Sequence, residues 1–148
     1  MLKKIVACAI LATTVTFTGC STTSLAEQAV SMFADDALVS GLTSDLGINA
    51  LQAAGGLGSV MSLASSKLSP ADFATLGKTF GNSSKYLDIA KQAGVLPGPI
   101  ADLAGLNSAF GKLGISPETG VKMLSQVSDF AGKTGGDTTK SLLTGLLK

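Results

Sequence analysis

The chain of 148 residues contains no histidine and no tryptophan, and every one of its basic residues is a lysine, so arginine is missing too. Without histidine it lacks the usual general base, the commonest transition-metal ligand and the central member of Ser-His-Asp and Cys-His arrangements. Without arginine it lacks the side chain best suited to paired hydrogen bonds with phosphate and guanine. We therefore expect no nucleic-acid partner, no metal, no cofactor and no enzymatic activity.

Motifs of common catalytic and nucleotide-binding sites are absent as well. No serine precedes a lysine by three positions, and no Gly-x-Ser-x-Gly segment occurs. Gly77-Lys78-Thr79 and Gly132-Lys133-Thr134 are present, but neither has the glycine five positions earlier that a phosphate-binding loop needs. The segment Gly56-Leu57-Gly58 is not followed by a third glycine at the spacing of dinucleotide-binding loops. The sequence therefore predicts no catalytic residue and no cofactor-binding residue.

Asp35, Asp36 and Asp45 form the one acidic grouping that we consider as a cation or acid/base site. Neighbouring residues of a helix point about 100° apart, so Asp35 and Asp36 do not converge. Calcium loops need more oxygen ligands at closer spacing. A solvated helix face is the interpretation that we favour for these three residues.

Residues 1–19 have the composition of a bacterial secretory signal: two early lysines, an apolar run over residues 5–17, and a small Thr-Gly pair at the end. The apolar run is shorter than the about 20 residues that a membrane-spanning helix needs. Cys20 follows directly, and this order of small residue, glycine and cysteine resembles the lipobox of bacterial lipoproteins.

That resemblance implies cleavage before Cys20 and acylation of its thiol and its new amino group, with palmitate as a typical acyl chain. Residues 20–24 would then be the lipidated cysteine and a short tether. Cys8 would leave with the signal, so no disulfide could form in the mature monomer. Ser21, by similarity to Gram-negative lipoproteins, implies the periplasmic face of the outer membrane. The alternative is an ordinary Cys20 thiol near an uncleaved anchor.

Residues 25–148 are expected to form a single all-α domain, a compact bundle of six or seven short helices, because helical spacing recurs and strand alternation is absent. The apolar spacing and the capping residues predict helices over approximately residues 25–46, 50–68, 70–80, 84–93, 100–112, 117–134 and 137–148.

Glycines and prolines divide this pattern. Gly55, Gly56 and Gly58 either break the second helix or let another helix or a ligand approach it closely. Gly135-Gly136 is expected to end the sixth helix. The segment Pro97-Gly98-Pro99 is the best internal linker candidate, since two prolines flank a glycine.

The segment Leu46-Gly47-Ile48 recurs as Leu113-Gly114-Ile115, 67 positions later, and several apolar positions match at the same offset. Two readings are open. The chain contains two helical pseudo-repeats, residues 42–80 and 109–147, related by approximate twofold symmetry. Alternatively the match is coincidental, because Leu-Gly is a common helix end.

Four segments together resemble the VcgC/VcgE family of bacterial proteins of unknown function: Leu46-Gly47-Ile48, Ala53–Gly58, Lys67–Phe73 and Leu113–Pro117. The similarity covers roughly residues 40–147. It implies a compact helical envelope protein and supplies no activity, cofactor or binding residue.

The function expected from these observations is that of a lipid-anchored cell-envelope protein with a non-catalytic structural or protein-interaction role. Its partners would be the membrane, through acylated Cys20, and another envelope protein, with the oligomeric state left open. The alternative is a carrier or sensor of an apolar ligand, held in a cleft between the two helical units.

Overall fold

The computed structural model describes residues 22–148, and this part of the chain contains seven α-helices and no strand. The helices are α1 (Thr22–Met32), α2 (Ala37–Leu46), α3 (Ala50–Lys67), α4 (Pro70–Phe80), α5 (Ser83–Gln92), α6 (Leu103–Lys112) and α7 (Pro117–Leu146). The expected all-α bundle is confirmed. Helix α1 begins at Thr22 rather than near Leu25, inside the segment expected to be a tether, since Ser and Thr are favoured near helix N-termini.

Helix α3 runs through the centre of the bundle. Every residue from Ala53 to Ala64 is buried, as in a helix that others surround on all sides. The two buried serines of this helix are hydrogen-bonded. The Ser59 hydroxyl donates to the Gly55 carbonyl at 2.9 Å, and the Ser62 hydroxyl oxygen accepts the Ile100 N–H at 3.1 Å.

The glycines of α3 lie inside a continuous helix, so they serve close packing and do not break it. A Cβ atom at Gly58 would overlap the backbone carbonyl of Tyr86 in α5. A Cβ atom at Gly56 would lie 2.6 Å from the terminal methyl of Met123 in α7. The missing side chain at Gly58 therefore allows α5 to approach α3 more closely than any other residue type would permit, and the missing side chain at Gly56 leaves room for the end of Met123.

The expectation of one helix over residues 25–46 is wrong, because the chain breaks at Asp36. The backbone of Asp36 is extended (φ −84°, ψ 107°), and its carboxylate accepts the N–H groups of Leu38 and Val39 at 3.0 and 3.2 Å. A short acidic side chain that bonds to the backbone competes with helix continuation. The helical phase restarts here, so the apolar residues on the two sides of Asp36 do not form one helix face, and Val30 of α1 is 57% exposed.

The expected interruption near the C-terminal end of the chain is confirmed. Gly136 has φ 75° and ψ −176°, which is non-helical, and it kinks α7 into two helical segments. The second segment folds back along the first, since Lys140 lies 3.4 Å from Asp129. Gly132 also faces the Lys140 side chain.

The proline-containing linker is non-helical, as expected, but it is held against the domain. Val95 and Ile100 at its two ends are buried. Helix α6 begins at Leu103 rather than Ile100, because the Asp102 carboxylate accepts the Gly105 N–H at 2.7 Å and caps the helix there.

The two Leu-Gly-Ile segments adopt the same local structure. Gly47 and Gly114 have φ angles of 66° and 72°, in the left-handed region that glycine tolerates at helix ends. The isoleucine after each glycine is buried. Residues 36–80, here called the first unit, and residues 103–147, the second unit, share the order helix, turn, capped helix, interruption, helix.

The substitution Gly58→Ala should lower the free energy of unfolding by about 1–3 kcal/mol, because an added methyl group at a fully packed backbone contact forces α3 and α5 apart. The matched control is Gly41→Ala, at a helical glycine of α2 whose Cβ would meet nothing within 4 Å. That change should stabilise by up to about 1 kcal/mol through helix propensity. Urea unfolding followed by circular dichroism measures both, and equal signs for the two variants would contradict the packing role of Gly58.

Candidate functional site

Cys20 and the secretory signal lie outside the residues that the structure describes, so acylation of Cys20 stays a prediction. Among residues 22–148, no helix is long and apolar enough to cross a membrane.

The acidic grouping separates into three different environments. Asp35 is exposed to solvent. The Asp45 carboxylate, near the end of α2, accepts a hydrogen bond from the Gln126 amide at 3.0 Å. Asp36 lies between α1 and α2 and faces α5. Within residues 22–148, no three His, Cys, Asp or Glu side chains are placed to hold a metal ion together.

Asp36 is the centre of a hydrogen-bond network and not part of a solvated face. Besides two backbone N–H groups of α2, its carboxylate accepts the Asn82 amide at 2.8 Å and the Tyr86 hydroxyl at 2.5 Å. Tyr86 is fully buried and its ring stacks on Phe33 at 5.0 Å between centroids. Burial raises the pKa of Tyr86, and the hydrogen bond to Asp36 and its negative charge raise it further. Tyr86 is therefore a permanent donor that joins α5 to α2.

An open groove lies along α7, between α6 and the part of α7 that follows Gly136, and we call it the α6–α7 groove. Its floor consists of Val121, Leu124, Ser125 and Ser128. Val121 is 69% exposed, an unusual position for a large aliphatic side chain in this domain. The floor therefore combines an apolar strip with small residues that leave room above it.

The walls of the α6–α7 groove come from two helical segments. Leu103 contributes to the α6 wall, and Thr144 and Leu147 contribute to the wall formed by the end of the chain. The groove has a volume of about 490 Å³. Asp129 and Lys140 also line it and pair with each other at 3.4 Å. The groove is thus mainly apolar, and its two charges are paired.

A smaller cleft of about 280 Å³ lies between α2 of the first unit and α7 of the second. Leu38, Leu42 and Phe130 line its apolar part. The hydrogen bond from Gln126 to Asp45 joins its two walls.

A comparison with protein families identifies the family of this chain. The sequence profile described as "Protein of unknown function VcgC/VcgE (DUF2780)" matches residues 1–148. The chain belongs to the VcgC/VcgE family. No curated protein and no solved structure matches it. The resemblance expected over residues 40–147 is confirmed, and the match extends over the whole chain.

In this VcgC/VcgE protein the α6–α7 groove is the feature that sequence reasoning missed. Leu124 and Leu147 are identifiable as apolar helix positions, but helical spacing alone does not tell that both line an open groove. Ser125 and Ser128 are polar and carry no burial signal of their own. The offset of 67 did contain a signal, since it pairs Ser125 with Gly58, which α5 covers in α3.

Replacing Asp36 with alanine should destabilise this VcgC/VcgE protein strongly. The lost helix cap costs about 1 kcal/mol, and leaving the buried Tyr86 hydroxyl without its acceptor costs about 1–3 kcal/mol more. Asp36→Asn keeps a good capping residue and should lose less. The control is Asp35→Ala, on the exposed neighbour, which should stay within about 0.5 kcal/mol of wild type. Thermal unfolding compares the three, and equal losses at positions 35 and 36 would refute the network.

Proposed function

We propose that this VcgC/VcgE protein is a lipid-anchored, non-catalytic component of the cell envelope that binds a protein partner through the α6–α7 groove. The observation that carries the proposal is the groove itself. Its floor combines the exposed Val121 and the partly buried Leu124 with small residues, while the apolar residues of the domain interior are packed against one another. Exposed apolar grooves with polar rims are typical of interaction sites.

The position of the first helix supports a function close to a membrane. Helix α1 begins at Thr22, two positions after Cys20, the residue expected to carry the acyl chains. Several acyl chains anchor a protein stably, whereas a single chain binds a membrane only marginally. A domain attached this closely would present its grooves to partners within a short distance of the lipid surface.

The chemistry of the α6–α7 groove favours binding over catalysis. Its ionisable side chains are Asp129 and Lys140, and they pair with each other while each stays about half exposed. A general acid or base at neutral pH usually depends on burial or on like charges to adjust its pKa. Neither condition holds for this exposed pair of opposite charges.

The alternative, a carrier or sensor of an apolar ligand between the two units, has weaker support. The cleft between α2 and α7 measures about 280 Å³, slightly less than the about 300 Å³ at which typical ligand pockets begin. The Gln126–Asp45 hydrogen bond joins its walls and would have to open for a larger ligand.

Acylation can be tested by growing cells with a fatty acid that carries a chemical tag. Wild type and Cys8→Ala should incorporate the label equally, because Cys8 is expected to leave with the signal. Cys20→Ala should incorporate none. Equal labelling of all three proteins would refute the anchor, and loss of label from Cys8→Ala alone would refute the assignment of Cys20.

Partner binding can be tested by purifying the full-length chain from detergent-solubilised envelopes. Wild type should recover a defined protein partner, and Ser125→Arg should reduce its recovery about tenfold or more, the effect of losing about 1.4 kcal/mol of binding free energy. The control is Ser84→Arg, on the solvent-facing side of α5, which should behave as wild type. Equal recovery with both arginine variants, or no partner at all, would overturn the proposed function.

A further inference from the structure

The first unit contains a counterpart of the α6–α7 groove, and helix α5 fills it. At the offset of 67 positions, Ser125 on the groove floor corresponds to Gly58. A Cβ atom at Gly58 would overlap the Tyr86 carbonyl and lie 2.7 Å from the Ala90 methyl, both in α5. The floor position that is open in the second unit is therefore in direct contact with a helix in the first.

The walls of the groove correspond in the same way. Leu103 of the α6 wall matches Asp36, which accepts hydrogen bonds from Asn82 and Tyr86 at the start of α5. Thr144 of the opposite wall matches Gly77, whose Cβ position lies 3.2 Å from the Ser83 hydroxyl of α5. Asp36, Gly58 and Gly77 thus each place α5 at the site that corresponds to the groove.

The packing of the two units supports this equivalence. Helix α2 of the first unit packs on α7, and α6 of the second unit packs on α3, so the pairing is reciprocal. Gly56 and Met123 are 67 positions apart and contact each other. Equivalent residues meet in this way at a twofold axis, and here a glycine faces a methionine so that the two helices fit.

We infer that the α6–α7 groove is the counterpart of the site that α5 occupies in the first unit, and that it binds an amphipathic helix of another protein. This inference rests on the proposed function and specifies the partner. The helix should resemble α5, in which Tyr86, Ile89 and Ala90 form a buried stripe and the opposite side faces solvent. Such helix-in-groove binding uses anchors at three- and four-residue spacing.

The charges of the α6–α7 groove indicate which residues the bound helix should present to it. Where the first unit offers the Asp36 carboxylate to a hydroxyl and an amide, the second unit offers the apolar Leu103. Asp129 and Lys140 neutralise each other at 3.4 Å. The bound helix should therefore be uncharged and apolar at the position of Tyr86, with a small residue above Ser125.

The described part of the chain offers no spare helix of this type, which points to another protein and away from a second copy. Helix α5 already packs against α3 in its own domain. The other large exposed aliphatic residue is Val30 of α1, and its exposed neighbours include Glu27, Gln28 and Ser31. That face lacks the continuous apolar stripe that the groove would bury.

The test places a photo-crosslinking amino acid at position 125 of the full-length chain in cells that make it, with position 84 as the matched control. After illumination, mass spectrometry identifies the peptide joined to the probe. The expected product from position 125 is a segment of another protein whose apolar residues recur at three- and four-residue spacing. Position 84 should yield no such product.

The other outcomes each decide the question. A crosslink to a second copy of the chain, to phospholipid, or to nothing would overturn the inference. A crosslink to an extended, non-helical segment of a partner would overturn the helix while leaving the proposed function intact. The co-purification experiment with Ser125→Arg judges that function separately, since it requires a partner of any structure in the groove.

Discussion

The close approach of α5 to α3 at Gly58 is the contact on which the rest of the domain depends. Because Gly58 has no side chain, the backbone of Tyr86 lies directly against α3. This approach brings Tyr86, Ile89 and Ala90 into the core with no solvent exposure. It also sets the position of the Tyr86 hydroxyl, which then reaches Asp36 and fixes the start of α2. A glycine that is unfavourable for an isolated helix thus determines where three helices meet.

The Asp36 network shows how a partly buried carboxylate is tolerated in an otherwise apolar bundle. The Asp36 carboxylate accepts four hydrogen bonds, two from backbone N–H groups of α2 and two from the side chains of Asn82 and Tyr86. A buried charge without such partners would be costly. The network therefore favours one placement of α5 over others, because a shifted helix would leave both the carboxylate and the Tyr86 hydroxyl unpaired.

Local signals in the sequence predicted much of the fold, and long-range contacts account for what they missed. Ser69-Pro70, Ser116-Pro117 and Gly136 mark helix boundaries through backbone preferences that act within a few residues, and the structure places boundaries there. The break at Asp36 was missed although aspartate is a favoured N-cap residue, because apolar residues continue on both sides of it. Its further partners, Asn82 and Tyr86, are 46 and 50 positions away and leave no local signal. The groove was missed for a related reason. Helical periodicity identifies apolar faces but does not tell which face a neighbouring helix covers.

The two units differ at the residues that contact α5 in the first unit. This difference explains why the site in the first unit is filled by α5, whereas the α6–α7 groove of the second unit is open. Gly58 allows backbone contact, and Asp36 supplies charge-assisted hydrogen bonds, so α5 is held tightly as part of the domain. Ser125 keeps an approaching helix farther away, and Leu103 offers apolar contact alone. A helix bound in the α6–α7 groove would have no equivalent of the backbone contact at Gly58 and no equivalent of the hydrogen bonds to Asp36. Under the proposed function, a partner helix in the α6–α7 groove would therefore be held less tightly than α5 is held on α3.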